Sequence, residues 1–88
     1  MKHEVFEGYV SEFGEYGYDF EPFFEVEYDD PTSILTIIHC VMIVHDGKAS
    51  LVQDLEVGDH VRVVAKPIKG KKFIKRFVSI NVFDDEEE

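Results

Sequence analysis

Apolar side chains recur at every second position in several segments of this chain, and that period fixes the class of fold open to it. A period of two puts successive side chains on opposite faces of a strand, whereas a helix needs 3.6. From Glu4 to Phe13, the residues Phe6, Gly8 and Val10 fall on one side. Val5, Glu7, Tyr9, Ser11 and Phe13 fall on the other. Phe23 to Tyr28 repeats the pattern, with Phe24, Val26 and Tyr28 opposed to Phe23, Glu25 and Glu27. Gly14 and Gly17 predict a loop between the two, and Asp29-Asp30-Pro31-Thr32-Ser33 predicts a turn after the second.

Ile34 to His45 is the longest apolar segment, and its four isoleucines, two valines and one threonine favour a third strand over a helix. A strand apolar on both faces belongs in a central position, because an edge would expose it to aggregation. Cys40 lies inside this run and is expected to be a buried structural thiol. His45-Asp46-Gly47-Lys48 reads as a solvated turn. Residues 49–55 fit either a short strand or one or two helical turns. Asp59 to Ala65 is the fourth strand, Lys66 to Lys72 a basic turn, and Phe73 to Phe83 the fifth strand. The chain then ends in five acids, Asp84 to Glu88, expected to be a disordered tail on a single domain spanning 1–83.

The expected fold is therefore all-β: a small five-stranded barrel, with room for one short helix between strands three and four. Two local features carry a resemblance to OB domains. Leu55-x-Val57-Gly58-Asp59-x-Val61-x-Val63 resembles the start of the fourth strand in many of them. Gly8 matches the early glycine that lets a first strand curl between two neighbours. A Val-Gly-Asp-x-Val turn also occurs in other small barrels, such as SH3-like ones. The resemblance spans about residues 4–83.

Composition narrows the function classes. No segment approaches the roughly 18 unbroken apolar residues of a membrane span, and the N-terminus lacks a signal-peptide pattern. A single cysteine allows no internal disulfide, which fits a cytoplasmic setting. Catalysis would have to draw on His3, His39, His45, His60 and Cys40. His39 and Cys40 are adjacent in a strand and point to opposite faces, so no Cys–His pair forms there. No serine elbow, phosphate loop or dinucleotide motif is present, and although His45-Asp46 with a distant His60 offers ligand types, no spacing is diagnostic of a metal. The chain is expected to be non-catalytic, without cofactor or metal.

Charge is sharply segregated. Residues 1–30 hold ten acids against one base, whereas residues 62–76 hold seven of the nine bases and no acid. The basic set is Arg62, Lys66, Lys69, Lys71, Lys72, Lys75 and Arg76. In the OB domains this chain resembles, the loop joining the last two strands is one wall of a groove that follows nucleic-acid backbone. The resemblance thus implies a module for single-stranded DNA or RNA. Those bases would neutralise phosphates, and Tyr16, Tyr18 and Phe20 would stack bases at about 1–3 kcal/mol each, with Tyr9 and Phe73 or Phe77 extending the platform. The acids around these same tyrosines favour a rival expectation: a protein-interaction module that uses its acidic, aromatic face or an exposed strand. The acidic tail resembles those of single-stranded DNA-binding proteins in charge but lacks their terminal hydrophobic residue.

Overall fold

The computed structural model describes residues 2–29, 38–47 and 50–83. Its five strands are β1 (Glu4–Tyr16), β2 (Glu21–Asp29), β3 (Ile38–Val44), β4 (His60–Ile68) and β5 (Lys71–Val82). One helical turn, α1 (Ser50–Gln53), lies between β3 and β4. The strands close into a barrel in the order β1-β2-β3-β5-β4, with β4 pairing back onto β1. All pairings are antiparallel except β3 with β5, which run parallel from Met42↔Ile74 to Val44↔Arg76. This all-β barrel is compatible with the OB-like expectation. The acidic tail and residues 34–37 of the expected third strand lie outside the described residues.

The core comes from the inward half of each alternation: Val10, Phe24 and Val26, Val41 and Ile43, then Val61, Val63 and Ala65. Val52 and Leu55, from α1 and the segment after it, join the same cluster. Within 49–55, Ser50–Gln53 form one helical turn that adds Val52 to the core, and Leu55 follows from the segment after it.

β1 can pair with two neighbours because it is long and because Gly8 has no side chain. Tyr9 pairs with Glu27 of β2 and His60 of β4, while Gly8 pairs with Val61. One feature of β1 departs from simple alternation. The register slips between Val10 and Glu12, leaving Ser11 as a bulge whose Oγ donates to the Glu25 carboxylate at 2.8 Å. A bulge consumes one residue and reverses the parity of the residues after it. Phe13, expected on the face of Glu7 and Tyr9, therefore lies opposite the buried Phe24 instead.

Three further expectations are corrected. β3 is not apolar-buried on both faces along its described length: Ile38 and Cys40 are exposed, while Val41 and Ile43 are buried. β2 flanks all of β3, but β5 reaches it only at Met42–Val44, so among the described residues the earlier half of β3 is paired on one side. Cys40 is consequently an exposed thiol, not a core one. His45, expected in a solvated turn, is buried against Phe24 and Phe77, with ring centroids 5.8 and 6.4 Å away.

Burial holds the His45 imidazole below its ordinary pKa, opposed by the nearby Asp46 carboxylate. Its Nδ1 accepts the Gly47 N–H at 3.0 Å, which suits the neutral ring. The unfolded chain binds this proton more readily, so the stability contributed here is present above the unfolded value of about 6.5 and is lost as pH falls through the lower folded value. Thermal melts at pH 7.5 and 5.5 are expected to show a drop for the wild type that His45→Asn, which retains an acceptor for Gly47, largely removes. A drop of equal size in the variant refutes the assignment.

Candidate functional site

The registers arrange the outer face of β1–β2–β3 in rows. Tyr9, Glu27 and Cys40 form one row, Glu12, Glu25 and Met42 the next, and Gly14, Phe23 and Val44 a third. Glu7 and Asp29 continue the face at one end, and Tyr16 with Glu21 at the other. Six carboxylates thus occupy a face whose remaining side chains are mainly aromatic or apolar. The ring of Phe23 covers Gly14, since a Cβ added there would come within 2.8 Å of it. An open depression of about 300 Å³ on this face is lined by Glu7, Tyr9, Glu27, Asp29, Ile38 and His60, among others. Tyr9 stacks on His60 at 4.8 Å, which holds the phenol ring in place while leaving it half exposed. Slight desolvation, then the charges of Glu25 and Glu27, push the Cys40 thiol above its ordinary pKa.

The expected basic set does not form one surface. Arg62 reaches Glu7 at 3.4 Å and Arg76 reaches Glu21 at 3.1 Å, so both guanidiniums are tied to the rim of the acidic face. Lys75 faces into the barrel, only 9% exposed, and its Nζ pairs with Glu4 at 3.0 Å. That leaves Lys66, Lys69, Lys71 and Lys72 on the β4–β5 hairpin, none of them in an ion pair among the described residues. The expected broad basic turn shrinks to Lys69-Gly70, because the strands run on to Ile68 and resume at Lys71. Lys72 sits 5.8 Å from the centre of the exposed Phe73 ring.

The tyrosines are similarly divided. Tyr9 lies on the acidic face, Tyr16 is half-buried opposite Glu21, and Tyr18 stands fully exposed at the β1–β2 turn. The β4–β5 hairpin flanks the start of β1, where Glu4 pairs with Ala65, whereas Tyr16 closes the far end of that strand. The length of β1 separates Tyr18 from the lysine tip. Phe20, expected beside Tyr18 in the same loop, is exposed and takes a left-handed backbone, φ 54°, uncommon for a bulky residue. Among the described residues, no group of three or more His, Cys, Asp or Glu side chains is placed to hold a metal ion.

No family model matches the chain, and neither a curated protein nor a solved structure matches it.

Proposed function

We propose that this chain is a non-catalytic interaction module of OB-like architecture whose β1–β2–β3 face receives an extended, basic segment of a partner protein. The observation that supports this most is the carboxylate content of that face: Glu7, Glu12, Glu21, Glu25, Glu27 and Asp29, interleaved with Tyr9, Phe23 and Met42. Carboxylates orient arginine and lysine side chains, and the apolar residues between them supply area to bury. Polyphosphate is repelled by the same groups. The OB-like reading rests on the closed order β1-β2-β3-β5-β4 and the parallel β3–β5 contact.

Anisotropy of a labelled Arg/Lys-rich peptide, titrated at low salt, tests this. The wild type is expected to bind, and Glu25→Lys with Glu27→Lys to weaken binding at least about tenfold. Lys71→Glu with Lys72→Glu is expected to leave peptide binding intact or strengthen it. An unaffected Glu25/Glu27 double variant overturns the proposal.

A second reading has its own support. Lys66, Lys69, Lys71 and Lys72 project on one hairpin beside the exposed Phe73. Single-stranded nucleic acid held there would follow the backbone by charge and stack one base on Phe73, with affinity that falls steeply with salt. A short oligonucleotide in the same assay discriminates the two: this reading predicts binding that the Lys71/Lys72 reversal abolishes.

A further inference from the structure

Burying a lysine inside a small barrel is expensive, and an apolar side chain of similar volume usually serves stability as well or better. Lys75 is nonetheless buried at the barrel end opposite α1, beside an open pocket of about 340 Å³. The pocket is lined by Phe6, Tyr28 and Val41 from inside, by Phe73 and Lys72 at the rim, and by Glu4 and Lys75. Phe6 packs edge-on against Tyr28 at 5.2 Å, giving an aromatic floor. The volume falls within the range of small-molecule sites.

Its electrostatics differ from those of the acidic face. Two ammonium groups border the pocket and one carboxylate accompanies them, so the local balance is positive although the whole chain carries −10. Glu4 is far more exposed than the lysine it pairs with, at 44% against 11% for the side chains. The carboxylate can therefore swing into solvent, whereas the ammonium stays where it is. Glu4 occupies the place an incoming anion would take.

We infer that the Lys75 end of the barrel is a binding site for a small amphipathic anion, its charged head on Lys75 in place of Glu4 and its apolar or aromatic body against Phe6, Tyr28 and Phe73. This site is independent of the acidic face and of the reading built on it. Lys72, at the rim, adds attraction without needing to be buried. Glu4 acts as an internal competitor that sets how strong a ligand must be to enter.

Backbone amide NMR of the full chain, titrated with octanoate and in parallel with uridine monophosphate, tests the inference and tells a carboxylate head from a phosphate one. Shifts are expected at residues 6, 28, 41 and 73–75 for at least one of the two, and uncharged octanol is expected to give much weaker binding. Lys75→Met is expected to weaken that binding about thirtyfold, and Glu4→Gln to tighten it about tenfold by removing the competitor. Phe73→Ala, at a position 57% exposed, is expected to weaken it about fivefold. Lys75→Met is also expected to melt no lower than the wild type, so that weaker binding in this variant reports the missing ammonium and not a loss of fold. Equal affinity in the wild type, Lys75→Met and Phe73→Ala, or shifts centred elsewhere on the barrel, overturns the inference.

Discussion

Replacing Gly8 by alanine is expected to lower the thermal midpoint by about 12–24 °C, the equivalent of roughly 3 kcal/mol in a domain of this size. A Cβ at this position would overlap the backbone carbonyl of Glu27 and come 3.1 Å from Cα of Tyr28. Neither atom can retreat cheaply. β2 is held from its other side by β3 through the Glu27↔Cys40 and Tyr28↔His39 pairs, and β1 is held by β4 through Gly8↔Val61. One methyl group therefore strains two strand pairings at once. Gly70→Ala is the matched control: its φ of +81° makes alanine unfavourable, but the space around it is open. That change should cost about 1–2 kcal/mol. Melts followed by circular dichroism compare the two, and a Gly8→Ala midpoint no lower than that of Gly70→Ala contradicts the close approach of β1 to β2.

Phe24→Ala is expected to cost about 3–5 kcal/mol by urea denaturation, a large part of the stability of a small domain. Among the described residues Phe24 is the largest fully buried side chain, and its ring packs in a triangle with those of His45 at 5.8 Å and Phe77 at 6.4 Å. Its removal leaves a cavity beside the imidazole, and this gives the prediction a second readout. With the ring gone, water reaches His45, and the histidine should titrate closer to its ordinary range. Histidine NMR of the folded variant tracks that change directly. A loss below about 1 kcal/mol, or an unmoved His45 titration, would mean that Phe24 does not shield the imidazole.

The alternation that made the chain readable as strands located β1, β2 and β4 well, because inward residues such as Val10, Phe24, Val26, Val61 and Val63 obey a local rule. What the rule could not supply is which side of a strand is covered. Cys40 sits in the most apolar run yet is exposed, since coverage depends on how far β5 reaches along β3. Phe13 changed sides because one bulge at Ser11 reversed the parity after it. Lys75 looked like one more base in a basic cluster, and only the parallel pair Ile43↔Lys75 turns it inward. The candidate site was legible in the same partial way. The segregation of charge along the chain was plain, and so was the clash between the acids and the tyrosines. That Arg62 and Arg76 would be drawn to Glu7 and Glu21 depends on contacts between residues 55 apart in sequence.

The separation of carboxylates onto β1–β2–β3 and lysines onto β4–β5 makes the barrel a permanent electric dipole as well as a net anion. A charged solute is turned by such a field before it touches. The torque acts within a Debye length, about 8 Å at physiological salt and longer in dilute buffer. Encounters are thus pre-aligned, so ionic strength acts first on how quickly a complex forms and only later on how long it lasts.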